Sequence, residues 1–191
     1  MSAIPLHETL TIRFMRLEDV EQVQAIDRIS FSMPWPLSAY NYEIKNNPLS
    51  LLWVAEATHP DAPPHIVGMV VVWLILEEAH IANIAVHPDY RGRGISKTLL
   101  AVALKEAIRR GSQKATLEVR AHNQVAQKLY RRFGFEIVGQ RPKYYRDNYE
   151  DALIMTVDNL EETYLAWLDT GEWKPGSIQQ IKGTDNSSLE P

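Results

Sequence analysis

Along Ala85-Val86-His87-Pro88-Asp89-Tyr90-Arg91-Gly92-Arg93-Gly94-Ile95-Ser96 the hydrophobic period of the chain changes from that of a strand to that of a helix. Before this stretch, His80 to Val86 is almost continuously apolar, the pattern of a strand covered on both faces. After it, Ile95, Leu99, Val102 and Ile108 recur at helical spacing. A proline break and two glycines stand between. Glycines at the mouth of a helix let the backbone approach a ligand closely, and the first-turn N–H groups have no intrahelical acceptor. Arg91, Arg93 and Lys97 add positive charge to a helix end that already favours anions. No Gly-Lys-Ser/Thr follows, so this is not a Walker loop, and a dinucleotide fingerprint would need a third glycine. Two readings fit: an anion site, or a tight turn whose arginines face water.

The charge distribution bears on that choice. The chain has 191 residues and a net charge of −4. From Arg91 to Arg132, eleven Lys/Arg stand against two acids, Glu106 and Glu118, a local +9 that leaves −13 for the rest. An acidic protein with one compact basic third is unlike a general nucleic-acid binder, so no DNA partner is expected. Solvated helix faces and a site for one small polyanion both account for it. The chain is 45% hydrophobic and 23% charged, the composition of a globular domain. It has no cysteine, which excludes a thiolate nucleophile, a disulfide framework and a cysteine-ligated metal. His80, His87 and His122 lack metal-ligand spacing with acids, so no metal is expected. The longest apolar run, Ile66 to Leu76, is too short to span a bilayer, and no leader pattern opens the chain. The expectation is a cytoplasmic protein without a membrane partner, a monomer or weak dimer.

The flanking sequence supplies the rest of the fold. Thr11 to Met15 alternates as a strand, and Leu17 to Ser30 is helical, with Val20, Val23, Ile26 and Ile29 on one stripe. Met33-Pro34-Trp35-Pro36 interrupts it, and a second helix is expected from Leu37 to Asn46. Leu51 to Ala57 and Ile66 to Leu76 read as strands around a surface loop, Thr58 to Pro64. Ala115 to Val119 is a strand, and Asn123 to Phe133 a helix with core stripe Val125, Leu129 and Phe133, capped by Gly134. Phe135 to Gly139 and Ala152 to Val157 close the sheet around a tyrosine-rich loop, Arg141 to Asp151, and Asn159 to Leu168 is a last helix. These elements predict a single mixed α/β (α+β) domain over residues 1–168, with a mostly antiparallel sheet of about seven strands and four or five helices. Residues 169–191 are small and polar and predict a flexible C-terminal tail.

Several of these segments together resemble the GCN5-related N-acetyltransferase (GNAT) superfamily. Its pyrophosphate loop reads Gln/Arg-x-x-Gly-x-Gly/Ala, and Arg91-Gly92-Arg93-Gly94-Ile95-Ser96 matches except at Ser96. Asn83 to Arg91 resembles the strand leading into that loop, and the likeness runs from about Thr11 to Val157. Leu117-Glu118-Val119-Arg120-Ala121-His122-Asn123, Leu129-Tyr130 and Phe133-Gly134-Phe135 are most similar to RimI-type protein Nα-acetyltransferases. The resemblance implies direct transfer from acetyl-CoA to an amine, with a protein or peptide N-terminus, such as that of a ribosomal protein, as acceptor. It implies that Arg91 to Lys97 and Asn123 hold the cofactor, and that a bulge at Ile84, Ala85 and Val86 offers a backbone N–H to the thioester oxygen. It further implies Glu118 as general base and Tyr130 as general acid.

Elementary chemistry is consistent with those roles and leaves other readings open. An α-amine titrates near 7.7–8.0 and a lysine near 10.4, so an N-terminus needs only modest help to lose a proton. Glu118 lies in an apolar strand, where a carboxylate needs a cleft or a partner; an ion pair with Arg120 would also satisfy it. A phenol near 10 can protonate a departing thiolate near 8.5, though Tyr130 could equally be a packing residue beside the helix stripe. Asn123 could be an N-cap alone. Trp35, Tyr144 and Tyr145 are candidates to clamp the acceptor peptide, and Trp35 could instead anchor the proline turn. A small-molecule or polyamine acetyltransferase, or a non-catalytic acetyl-CoA-binding module, remains an alternative on the same fold.

Overall fold

The computed structural model describes residues 8–173. Seven strands form one sheet: β1 (Thr9–Phe14), β2 (Ser50–His59), β3 (Ala62–Ile75), β4 (Glu78–Val86), β5 (Lys114–Arg120), β6 (Glu136–Tyr145) and β7 (Glu150–Val157). Five helices flank it: α1 (Val20–Ser30), α2 (Leu37–Asn46), α3 (Ile95–Arg109), α4 (Gln124–Arg132) and α5 (Glu162–Thr170). The strand order is β1-β2-β3-β4-β5-β7-β6. All neighbours are antiparallel except β4 and β5. Among the described residues no helix is long and apolar enough to cross a membrane.

The central strand explains the layering. Ile66 to Val72 of β3, apolar without alternation apart from Gly68, is buried throughout, so both faces of the sheet must be covered. On one face α1 and α2 pack Val20, Val23, Ile26 and Tyr40 against Leu52, Val54, Met69 and Val71. On the other, Ile95, Leu99 and Leu104 of α3, Tyr130 of α4 and Leu168 of α5 join Val67, Val70, Leu117 and Val119. Gly134 ends α4 at φ 80°, as the left-handed cap requires.

Several boundaries differ from those read in the sequence. The supposed surface loop at Thr58 to Pro64 is the end of a hairpin, because β2 runs to His59 and β3 starts at Ala62. The tyrosine-rich loop at Arg141 to Asp151 is also largely strand: β6 continues to Tyr145, which faces Glu150. Backbone pairing overrides its polar composition, with irregular register between Arg141 and Tyr145. On α4, Val125 is 82% exposed and Tyr130 and Gln127 are buried. The cause is Gln127, whose amide donates to the carbonyls of Arg120 and Ala121 and turns its own face of the helix inward. The last helix extends to Thr170, and Trp173, assigned to the tail, is buried beside Phe133 with their rings 5.9 Å apart. The remainder of the expected tail, 174–191, lies outside the described residues.

Candidate active site

The site is an opening in the sheet. β4 and β5 pair only from Glu78, Ala79 and His80 to Lys114, Ala115 and Thr116. Beyond His80, β4 stays paired with β3 as far as Val86, and β5 stays paired with β7 as far as Arg120. The two parallel strands therefore separate, leaving the β5-facing backbone edge of β4 without a partner strand. A bulge marks the departure. Val71 pairs with Asn83 and Val72 with Ile81, so Ala82 is the extra residue. That places the irregularity ahead of the expected Ile84–Val86 segment, whose three residues pair regularly with Val70, Met69 and Gly68. Ile84 packs with the α3-side core and Ala85 lies in the α1-side core, so their side chains are structural.

The sequence-expected anion turn lies at the end of β4. Gly92 and Gly94 have φ of 78° and 82°, a region that side chains other than glycine's disfavour. Space at Gly92 is open: a Cβ there would meet no atom within 4 Å. Gly94 is the N-cap of the 15-residue α3 and has no side-chain cap, so the first-turn N–H groups at Ile95, Ser96 and Lys97 remain for an incoming anion. The arginines do less than expected. Arg93 donates to Glu8 and to the Asp89 carbonyl and lies 4.5 Å over the Tyr90 ring, while Arg91 donates to the Val86 carbonyl at 3.0 Å. They fix the shape of the turn. Across the opening, Asn123 caps α4 by accepting the Ala126 N–H at 3.1 Å, as its N-cap reading requires.

Glu118 and Tyr130 lie on opposite faces of the sheet. Leu117 and Val119 enter the α3-side core, so Glu118 between them turns to the α1 side. The alternative pairing with Arg120 does not form. Glu118 instead meets Arg141 at 3.1 Å and His80 Nε2 at 3.3 Å, and its side chain is only 12% exposed. Tyr130 is packed in the α3-side core, its ring tilted against Phe135. Burial, and then the neighbouring Tyr145 phenol, push the Tyr130 phenol above its ordinary value. Burial first raises the Tyr145 phenol to about 12, against the nearby Arg120, with Glu118 among the lesser charges that raise it.

Arg120 ties the β6–β7 hairpin to the α1–α2 connection. Its guanidinium stacks 3.9 Å over the Tyr145 ring and donates to Asp147, Asn148, Glu150 and the Ser32 hydroxyl. Ser32 donates in turn to Asp147 at 2.7 Å. The α1–α2 connection, carrying Met33-Pro34-Trp35, is thus latched to the β6–β7 hairpin carrying Tyr144 and Tyr145. Trp35 serves as the anchor of its turn: its N–H donates to the buried Asp27 at 2.6 Å and its ring stacks on Trp73. Asp27 also accepts from Asn83 on β4. Tyr144 is 44% exposed. Sequence reasoning missed His80, Arg141 and the Arg120 latch. Only His80 carried a signal, as the polar residue that opens an apolar strand; the other contacts depend on the hairpin register. Among the described residues no cluster of His, Asp or Glu could hold a metal ion.

Comparison with known proteins accords with this geometry. A protein of Bacillus subtilis provisionally named a ribosomal protein bS18-alanine N-acetyltransferase is 38% identical over 146 residues, 76% of this chain and 93% of that protein. The ribosomal protein bS18-alanine N-acetyltransferase of Salmonella typhimurium is 30% identical over 149 residues, 77% of this chain and 96% of that protein. The crystal structure of the ribosomal-protein-S18-alanine N-acetyltransferase from Escherichia coli superposes with a TM-score of 0.68 at 29% identity, covering 79% of this chain and 94% of that one. The model of the Acetyltransferase (GNAT) family matches residues 20–135, from the start of α1 across the opening to the end of α4. With a sheet that opens beside a glycine turn and relatives of this extent, the chain belongs to the GNAT acetyltransferase family.

Proposed function

We propose that this chain transfers the acetyl group of acetyl-CoA to the α-amino group of a protein N-terminus, with a ribosomal protein beginning with a small residue such as alanine as the substrate class. The observation that carries the proposal is the parting of β4 and β5 beside a capless helix N-terminus, with the Glu118 carboxylate on the strand that borders the gap. The residues fit the cofactor: two left-handed glycines and the open space at Gly92 form a cradle for a pyrophosphate. Gly92, Gly94, Ile95, Ser96 and Lys97 would hold the diphosphate, with Asn123 on the opposite rim. When bound, acetyl-CoA supplies an activated thioester carbonyl.

The chain's own groups do the rest. The unpaired backbone edge of β4 beyond its bulge presents N–H donors toward the gap, as a developing oxyanion requires. Glu118 receives the proton that an α-ammonium must lose before it can attack. Tyr130 is protonated at neutral pH, as an ordinary phenol near 10 is and as burial reinforces, the form that can hand a proton to the leaving sulfur. Tyr144 and Tyr145 border the path of the acceptor, with Trp35 behind them as the support of the opposite wall.

The test is a set of peptides varied at the first two positions, incubated with acetyl-CoA and followed by a thiol reagent. The chain has no cysteine, so the signal comes from released CoA alone. Peptides beginning with alanine should release CoA and carry the acetyl group on the α-nitrogen. No release with any peptide, or acetylation confined to lysine side chains or polyamines, would refute the proposal.

A further inference from the structure

Glu8, the residue ahead of β1, is buried against the anion turn: its side chain is 6% exposed and both of its oxygens are engaged. Oε1 accepts from the Tyr90 hydroxyl at 2.8 Å, and Oε2 accepts from the Arg93 guanidinium at 3.1 Å. The Tyr90 hydroxyl has one hydrogen and gives it to Glu8, so in its 2.9 Å contact with His65 Nε2 the imidazole is the donor. Arg93 also donates to the Asp89 carbonyl at 3.1 Å and lies over the Tyr90 ring. One carboxylate thus joins three parts of the chain: the approach to β1, His65 of β3 and the turn.

The place of that grip matters. Arg93 stands between Gly92 and Gly94, both left-handed, and glycine has the most backbone freedom to lose. A Cβ at Gly92 would meet no atom within 4 Å, so no neighbour wedges the turn at that point. Its shape is imposed through side chains instead, at Arg93 by Glu8 and at Arg91 by the Val86 carbonyl. An Arg93 that swung onto a phosphate would leave the buried Glu8 carboxylate with the Tyr90 hydroxyl alone, an ion pair broken on one side.

We infer that Glu8 is a positioning residue for the cofactor: through Arg93 and Tyr90 it holds the turn in the shape that receives the acetyl-CoA diphosphate. This rests on the reading of the turn as the acetyl-CoA site. It goes beyond that reading by placing a determinant of affinity ahead of β1, outside residues 20–135 that the family model matches. A turn already in its bound shape binds without first being ordered. By reciprocity, bound acetyl-CoA tightens the seat of Glu8 on the turn.

Calorimetry on the full chain measures acetyl-CoA affinity for wild type, Glu8→Gln, Arg93→Gln and the double variant. Gln at position 8 keeps an acceptor for Tyr90 and removes the charge that holds Arg93. Each single variant should bind about tenfold more weakly, and the double variant about as weakly as the weaker single, because both changes break one contact. With an alanine-starting peptide, Glu8→Gln should raise the KM for acetyl-CoA by a similar factor and leave kcat and the peptide KM within about twofold. Tighter binding by Glu8→Gln would mean that Glu8 competes with the phosphates for Arg93, and it overturns the inference. So does a lowered melting temperature with unchanged affinity, which marks a purely structural role, and so do losses that add in the double variant. Should circular dichroism show Glu8→Gln misfolded, Tyr90→Phe carries the same affinity test, since it keeps the ring under Arg93 and removes the hydroxyl that Glu8 holds. Wild type that binds no acetyl-CoA overturns the parent reading as well, an outcome distinguishable because it needs no variant.

Discussion

At Tyr130 the structure shows the packing role, and the general-acid role is proposed beside it. It is a core residue, 6% exposed against Phe135, and it is also within electrostatic reach of Tyr145 at the opening. An ordinary phenol near 10 already keeps its proton at neutral pH, and burial raises this one further, so the acid form is present throughout the working range. Tyr130→Phe keeps the ring and its packing and removes only the proton. Turnover should fall roughly 100-fold while acetyl-CoA affinity, measured by calorimetry, stays within about twofold. A parallel fall in affinity would reassign the hydroxyl to binding. Glu118 shows the converse. Its strand position announced an unusual carboxylate, but the alternative partner two residues away on the same strand face, Arg120, does not pair with it. Arg120 is drawn to Asp147 and Glu150 across the hairpin, and Glu118 finds Arg141 and His80 instead. Spacing within a strand says which face a side chain takes; partners come from the strand beside it.

Legibility follows the same rule at the scale of elements. The strand-turn-helix at Ala85 to Ser96 was readable because period, proline and glycines are local signals, and its helix begins at Ile95 as the pattern requires. The parting of β4 and β5 was not readable, since a pairing that stops after three residues leaves no mark on composition. Nor was the length of β6, whose polar residues are held by β7 through contacts such as the Lys143 N–H to Asp151 at 2.7 Å. The anion turn is the element whose function can be separated from its stability. A Cβ at Gly92 meets nothing within 4 Å, so Gly92→Ala should lose only the cost of a left-handed backbone, about 1–2 kcal/mol in a urea melt. If the backbone there approaches a diphosphate, acetyl-CoA affinity should fall by much more than that cost explains, about 30-fold or greater. Undiminished affinity in the folded variant would return this turn to a merely structural role.

For the molecule as a whole, the two faces of the sheet are bridged across the opening by charge. The α1–α2 connection reaches the β6–β7 hairpin through Ser32 and Asp147, and Arg120 on β5 joins both to Glu150. Glu150 also accepts the His122 N–H at 2.8 Å, so one carboxylate couples β7, β5 and the entry to α4. That N–H first, and then the Arg120 guanidinium against a desolvation cost, hold the Glu150 carboxyl down at about 2. The folded value lies below the ordinary one near 4.3, so ionised Glu150 stabilises the fold at any pH above the ordinary value. That contribution declines as pH falls from about 4.3 and is gone below about 2. Glu150→Gln should therefore melt below wild type at pH 7, and the gap should narrow steadily between pH 4.5 and 2 in thermal scans. The latch also predicts a kinetic effect: the variant's KM for the acceptor peptide should rise several-fold at pH 7, with acetyl-CoA affinity little changed, because the hairpin bearing Tyr144 and Tyr145 loses its hold on Arg120. A melting gap independent of pH would mean that Glu150 acts through packing, and an unchanged KM would detach the latch from acceptor binding.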